Sequence, residues 1–339
     1  MNMINENEVK QMELYPDVRD GLISVQRKIL WSFRTRTQKE MNQFVKSAKI
    51  VGYVMGHFYP YNADCVYKGL VNMVQLTEKN PLVYGQGNFG SRTDRNSYAA
   101  MRFTEVKISC FGRAMLDGVE KNAVPLYDNF NGTFKEPCYL PSMFPNLLVN
   151  GFNGERASVP PHDFSDVIAC VQNCCDAAPQ MRHPLLGESR SFSVWTGEKV
   201  EELSFAQILG IWVDHRIECL RKILVWDVEE IKKKLHCLKA KKIFLQDIPV
   251  NIKRLKKFKD FQEFGSSMGF DEEQNKYLKK ISFLDIVASD VESEISLAES
   301  KLAELRKKLD SREALLRIIV EQLETLANLP RAKQKKFRC

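Results

Sequence analysis

The chain has 339 residues, of which 44% are hydrophobic and 27% are charged, and its formal net charge is +7. This composition is ordinary for a globular protein, and the length predicts two or three domains. No run approaches the roughly 18–20 apolar residues that a membrane span needs. The polar, acidic first residues resemble neither a secretory signal nor a transit peptide. We therefore expect a cytoplasmic protein with no membrane contact.

The basic residues occur in clusters, four of which lie in the N-terminal third of the chain. These four are Arg27–Lys28, Arg34–Lys39, Lys46–Lys49 and Arg92–Arg102. Two further clusters, Lys232–Lys242 and Arg331–Arg338, are interpreted as solvated helix faces and a tail. A mildly basic chain with clustered charge is consistent with a phosphate-rich partner. The alternative is that these side chains only keep the surface soluble.

Nine cysteines are scattered along the chain, and the closest group is Cys170, Cys174 and Cys175. One interpretation is a metal site completed by His162 or His183. No second Cys-x-x-Cys pair is present to complete a tetrahedral set. We therefore favour small residues on one helix and predict no metal site.

Three amphipathic helices are predicted near the N-terminus, because apolar residues recur there at helical spacing. They cover Asp20–Phe33, with Asp20 as the N-cap, Phe44–Met55 and Asp64–Leu76. The short connection between the second and third is typical of a helix-turn-helix, although any small helical core can give this pattern.

The pattern changes after the third helix. Three glycines within Pro81–Ser91 predict a shaped loop, and helix is predicted again over Ala99–Leu116. Residues Pro125–Pro161 are rich in Pro, Gly and Asn and contain short apolar runs such as Leu147–Val149. This stretch predicts short strands and turns.

The C-terminal part is predicted to be mostly helical. Phe205–Leu245 and Phe283–Leu326 are long helical stretches, and Asp247–Phe270 is a set of shorter helices. Two long helices separated by compact helical sequence suggest an antiparallel coiled coil with a small globular tip.

Several short motifs occur in a fixed order along the chain. They are PDVRDGL at Pro16–Leu22 with Val25–Lys28, KSAKIVG at Lys46–Gly52, GQGNFGS at Gly85–Ser91, AAMRFTE at Ala99–Glu105, FPNLLVNG at Phe144–Gly151, PPH at Pro160–His162, VDHR at Val213–Arg216 and Glu273–Gln274. In this order they resemble the A subunits of bacterial type IIA DNA topoisomerases, the gyrase A and topoisomerase IV A family. The resemblance spans nearly the whole chain.

The resemblance implies an α+β, mostly helical fold with three domains. Residues 1–125 would form a winged-helix DNA-binding domain and residues 126–205 a truncated tower domain. Residues 206–339 would form a long antiparallel coiled coil with a C-terminal dimer gate. The expected partners are duplex DNA, a second copy of the chain in a homodimer, and a gyrase B-like subunit.

The family breaks and reseals DNA by transesterification, in which a tyrosine hydroxyl attacks a phosphate. The resemblance places this tyrosine at Phe103, beside Arg102, and a phenylalanine has no oxygen with which to attack. Tyr98 would lie about 140° around a helix from Phe103, so we do not expect it to substitute. No cofactor is expected in this chain, since Mg²⁺ and ATP would be held by the partner B subunit of an active enzyme.

The resemblance also assigns contact with DNA to a basic groove and to the glycine-rich loop. These residues are Arg27, Lys28, Lys46, Lys49, Arg92, Gln86 and Asn88.

Three further positions depart from the family pattern. Glu13 stands where the family has an arginine, Tyr59–Ala63 replaces a turn that carries two histidines, and Glu155–Arg156 replaces the apolar wedge that bends DNA. Charged side chains at the wedge cannot unstack bases as an apolar side chain does. With Phe103, these departures favour a homodimeric DNA-binding protein that no longer cleaves DNA.

Two alternatives stay open. The first is a subunit of an active ATP-dependent topoisomerase in which Phe103 is an engineered change. The second is a fold recruited as a structural component of a larger assembly, which would not need the basic groove.

Overall fold

The fold is described from a computed structural model of the chain. It describes residues 11–35, 41–75, 80–91, 93–175, 183–255, 258, 260–281 and 290–329. The chain divides into two compact units, of which the first contains residues 1–222 and 315–339 and the second contains residues 223–314. The predicted domain boundaries at residues 125 and 205 both fall inside the first unit, so the three-domain division stays a prediction.

Three helices begin the first unit: α1 (Ser24–Arg34), α2 (Ser47–His57) and α3 (Ala63–Gln75). Their presence confirms the helices predicted from apolar spacing, and their apolar faces form a common core. Its members include Ile29, Leu30, Phe33, Ile50, Val54, Val66 and Leu70. The predicted N-cap was wrong, because α1 begins at Ser24, whereas the Asp20 carboxylate accepts from the Leu22 amide and pairs with Arg27.

A three-stranded antiparallel sheet packs beside these helices, with its strands in the order β1-β3-β2. The strands are β1 (Val45–Lys46), β2 (Val83–Gln86) and β3 (Glu105–Ile108). Strand β3 contradicts the helix predicted over Ala99–Leu116, of which only α4 (Cys110–Leu116) is helical. Val106 and Ile108 are buried and alternate with the partly exposed Glu105 and Lys107, which is the period of a strand.

Short elements follow, as the Pro- and Gly-rich sequence predicted. They are the hairpin β4 (Leu126–Asp128) and β5 (Lys135–Pro137), α5 (Asn146–Asn150), the hairpin β6 (Phe152–Asn153) and β7 (Ser158–Val159), α6 (Phe164–Cys175), and the hairpin β8 (Ser191–Trp195) and β9 (Val200–Ser204). The run Leu147–Val149, expected among strands and turns, lies in α5. Gly21 permits this packing, since it has φ +69° and an added Cβ would come 2.5 Å from the Leu147 amide nitrogen.

One helix of 42 residues, α7 (Phe205–Gln246), confirms the first long helical prediction. In the first unit its Phe205 and Trp212 are buried. The Arg216 guanidinium is fully buried there and donates to Gln322 Oε1 at 2.9 Å, on the helix α12 (Arg312–Ala327).

The second unit contains the rest of α7, the short helices α8 (Ile248–Leu255), α9 (Phe261–Ser267) and α10 (Glu272–Lys279), and α11 (Val291–Leu309). Val291, Ala298 and Leu305 are the buried positions of α11, a spacing of seven that is typical of helices paired along their length. The ion pairs Lys239–Glu299 and Lys242–Glu292 show that α7 and α11 run antiparallel.

The predicted stretch Phe283–Leu326 is helical within α11 and α12, with a break between Leu309 and Arg312. Residues 282–289, which carry the predicted apolar positions Ile286 and Val287, lie outside the described part. Within the described residues, none of the helices combines the length and apolar character required to cross a membrane.

Candidate nucleic-acid interface

Arg102 and Phe103 lie in a turn that is docked against the first residues of α2. The turn is tight, since the Phe103 amide donates to the Ala100 carbonyl at 2.9 Å. The Ser47 amide donates to the Thr104 carbonyl at 2.9 Å, and the Ala48 amide donates to the Met101 carbonyl at 3.2 Å. Amides at a helix N-terminus lack partners within the helix, so these bonds satisfy α2 and fix the position of the turn.

A buried group of hydroxyls supports the same turn from below. The Tyr67 hydroxyl donates to the Ala99 carbonyl at 2.6 Å and lies 3.0 Å from the Thr104 hydroxyl. Thr104 in turn donates to the Ser47 hydroxyl at 2.8 Å. Burial raises the pKa of Tyr67, so its proton stays available for donation. The sequence did not predict this group, because each hydroxyl comes from a different element.

The Phe103 ring is 63% exposed, although its backbone is held firmly. The Arg102 guanidinium carbon lies 4.7 Å from the ring centroid, within the range of a cation–π contact. Arg102 is itself exposed. The turn therefore presents a fixed positive charge and an aromatic ring, and it has no nucleophilic oxygen at position 103.

Lys46 and Gln86 flank the start of β3. The register pairs Glu105 with Lys46 on one side and with Gln86 on the other. Lys46 Nζ lies 2.9 Å from a Glu105 carboxylate oxygen, and the two side chains are 56% and 30% exposed. Lys49 is exposed one turn into α2. The structure thus brings Lys46, Lys49 and Gln86 to the surface near Phe103.

The loop after β2 is shaped by its own side chains. Asn88 Nδ2 donates to the Ser97 carbonyl at 2.7 Å, while Asn88 Oδ1 accepts from the Gly90 amide at 2.9 Å. Gly87 has φ +108°, and an added Cβ would lie 3.1 Å from the Phe103 carbonyl oxygen. Asn88 therefore closes the loop onto Ser97, Gly87 lies close to the Phe103 backbone, and the Asn88 amide already has protein partners on both sides.

The family model of the DNA gyrase/topoisomerase IV A subunit matches residues 15–187, just over half of the chain. The chain belongs to the DNA gyrase and topoisomerase IV A-subunit family. It is similar to the DNA gyrase A subunit of Thermotoga maritima, with 47% identity over 158 residues. Identity is 43% over 161 residues with the gyrase A subunit of Metamycoplasma arthritidis and 42% over 165 residues with that of Rickettsia bellii.

These similarities cover 45–47% of this chain and 18–20% of the relatives. The chain therefore spans about a fifth of the length of the curated relatives it matches. The region that matches the A-subunit family includes the Phe103 turn and all three strands of the sheet beside it.

Arg27 corrects one expectation drawn from the A-subunit resemblance, because it does not present its charge at an open groove. It is 4% exposed, and its Nε donates to Asp20 Oδ2 at 2.7 Å. Burial alone would lower the pKa of Arg27, but the Asp20 carboxylate raises it above its ordinary value. Arg27 is therefore part of a buried ion pair.

Lys28 is also engaged inside the fold. Its Nζ donates to the Phe58 carbonyl at 2.8 Å and to Glu136 Oε1 at 2.9 Å, and the side chain is 15% exposed. Arg92 lies outside the described residues. Of the predicted contact residues, Lys46, Lys49, Gln86 and Asn88 belong to the elements next to the Phe103 turn, whereas Arg27 is buried and Lys28 is mostly buried.

The positions that depart from the family pattern lie at described sites. Tyr59 contacts Tyr61 with ring centroids 5.0 Å apart. Burial and the hydrogen-bonded carboxylate of Glu13 raise the pKa of Tyr59 to about 12, which keeps its hydroxyl protonated. Glu155 and Arg156 are exposed between β6 and β7.

Tyr98 does not lie on a helix with Phe103, so the angular argument made from the sequence is wrong. The centroids of the Tyr98 and Tyr67 rings lie 5.7 Å apart, and the Tyr98 backbone forms an antiparallel β-bridge with Phe89. No group of three or more His, Cys, Asp or Glu side chains suited to a metal ion occurs within the described residues. The side chains of Cys174 and Cys175 lie outside them.

Proposed function

We propose that the chain is a homodimeric DNA-binding member of the gyrase A-subunit family that does not cleave DNA. The observation that carries the proposal is the Phe103 turn. The resemblance of Ala99–Glu105 to the family motif assigns the nucleophile to that position, and the ring there has no hydroxyl. Arg102 beside it keeps a charge that can fork onto a phosphate.

The surrounding charges support contact with a phosphate backbone. The Lys46–Glu105 pair is exposed at the surface, and such pairs contribute only about 0–1 kcal/mol. Lys46 can therefore exchange Glu105 for a DNA phosphate at little cost. Arg102 and Lys49 add two exposed positive charges, so the surface can neutralise several phosphates and release their counterions.

The architecture of the proposal follows the family. Helices α1–α3 with the β1-β3-β2 sheet support a winged-helix domain. The antiparallel α7 and α11 support a coiled coil, which would carry the dimer gate. A gyrase B-like subunit is the further partner that the family suggests, and Mg²⁺ and ATP would be bound there.

The test is binding of a labelled duplex by fluorescence anisotropy at several salt concentrations. We expect the Lys46→Ala/Lys49→Ala protein to bind more weakly and to lower the slope of log K against log salt by about 2. The matched control is Lys232→Ala/Lys233→Ala, because Lys233 is 57% exposed and also ion-paired, like Lys46 at 56%.

The control should bind as the unchanged protein does. Equal binding by both double variants would contradict the proposed interface. Failure of the unchanged protein to bind duplex at low salt would contradict DNA binding and favour a structural role in an assembly.

A further inference from the structure

The exposed face of the three-stranded sheet carries aromatic rings beside the basic residues that are proposed above to contact phosphates. Along the central strand, Thr104, Val106 and Ile108 are buried. Strand alternation therefore directs Glu105 and Lys107, which lie between them, to the opposite side. Phe103 precedes the strand in its turn, and its ring is exposed beside the start of the strand.

The neighbouring strands continue this face. Tyr84 pairs with Lys107, Gln86 pairs with Glu105, and Lys46 pairs with Glu105 from the other side. Phe44, two positions before Lys46, is 41% exposed. We call Phe44, Lys46, Tyr84, Gln86, Phe103, Glu105 and Lys107 the outer sheet face.

Two of the three aromatic rings on the outer sheet face are exposed to solvent. Phe103 is 63% exposed, Phe44 is 41% exposed and Tyr84 is half-buried. Large rings usually bury 150–250 Å² each in a fold or an interface, at about 25 cal/mol per Å². Leaving them in water forgoes that stabilisation, so a flat partner that covers them would gain it.

The charges on this face select the kind of partner. Lys46, Lys107 and the adjacent Arg102 outnumber the single acidic residue, Glu105. Rings interleaved with basic side chains match an unpaired strand of nucleic acid, whose bases stack on rings while its phosphates meet cations. A paired base within a duplex is already stacked on both of its flat sides.

We propose that the outer sheet face binds unpaired DNA bases by stacking, so that the preferred substrate is single-stranded or locally opened DNA. This inference rests on the proposed DNA-binding function and narrows its substrate class. Phe103 would then contribute to DNA binding, because a phenylalanine ring keeps the full stacking surface of a tyrosine ring although it lacks the hydroxyl.

The test compares three labelled probes of equal length: a single strand, a full duplex and a duplex with a central unpaired bubble. We expect the single strand and the bubble to bind more tightly than the duplex. Phe103→Ala and Phe44→Ala should each weaken single-strand binding by roughly 5- to 100-fold, the range measured for loss of one stacking ring. Phe103→Leu keeps apolar area without a π face and should lose most of the same affinity.

The matched control is Phe130→Ala, because Phe130 is 53% exposed and follows β4, which belongs to a separate two-stranded sheet. It should bind all three probes normally, and thermal unfolding should show that each variant is folded. Equal affinity for the duplex and the single strand, or equal effects of Phe103→Ala and Phe130→Ala, would overturn the stacking inference and leave duplex binding intact. Absence of binding to every probe would overturn the proposed function as well.

Discussion

Replacing Arg27, which forms a buried ion pair with Asp20, tests whether this arginine stabilises the fold or binds DNA. Arg27 is 4% exposed and Asp20 is fully buried. Arg27 donates to both Asp20 oxygens, at 2.7 and 3.2 Å, and to the Leu22 carbonyl at 3.1 Å. Arg27→Met removes the cation and leaves the carboxylate buried. Breaking a buried pair in this way costs about 3–5 kcal/mol.

That loss should lower the melting temperature by roughly 6–20 °C for a unit of this size. Circular dichroism on heating measures it, and duplex binding is measured on the same samples below the transition. Arg102→Met is the matched control, because the same substitution removes an exposed guanidinium. We expect it to weaken DNA binding without changing the melting temperature. A melting temperature for Arg27→Met within about 2 °C of the unchanged protein, together with weakened binding, would refute this division of roles.

Three further outcomes are expected. Light scattering at micromolar concentration should give twice the 39.1 kDa chain mass, and a monomer at all concentrations would rule out the dimer gate. Burial lowers the pKa of His215 below 6.5, so its contribution to stability is present above about pH 6.5 and is lost as pH falls towards the folded pKa. His215→Asn should therefore flatten the change in melting temperature between pH 7.5 and 5.5. An unchanged pH profile would contradict this. Tyr67→Phe removes the hydroxyl beneath the Phe103 turn and should cost about 1–3 kcal/mol of unfolding free energy and weaken DNA binding, whereas unaltered stability would show that the buried hydroxyl group contributes little.

The helices could be predicted from the sequence because their signal is local. Apolar side chains recur at helical spacing in α1, α2 and α3, and the same residues form their core. Strand β3 could not be predicted as easily. Its four residues, Glu105–Ile108, lie close before the helix α4. An alternating run this short is not distinguished from the helical pattern that follows it, so one helix was predicted over both. Only pairing with β1 and β2, which are distant in sequence, fixes it as a strand.

The candidate interface was predicted in part for a similar reason. The sequence motifs assign Arg102, Phe103, Lys46 and the glycine-rich loop to one site because they specify which residue types occur there. Whether a cation is open to solvent depends on partners elsewhere in the chain. Lys28 is engaged by Glu136, which lies 108 positions away, and that contact leaves no local trace in the sequence.

The central claim is that this family member binds DNA at a cleavage site that has lost more than the tyrosine hydroxyl, so that it forms no covalent link to DNA. Phe103→Tyr, mixed with an active gyrase B subunit, Mg²⁺ and supercoiled DNA and then denatured, tests this claim most directly. We predict no DNA-linked protein, because Glu13, Tyr59 and the Glu155–Arg156 turn also depart from the family pattern, and each positioning loss can cost on the order of a hundredfold or more in rate. A DNA-linked adduct formed as efficiently as that of an ordinary gyrase A protein would contradict the claim.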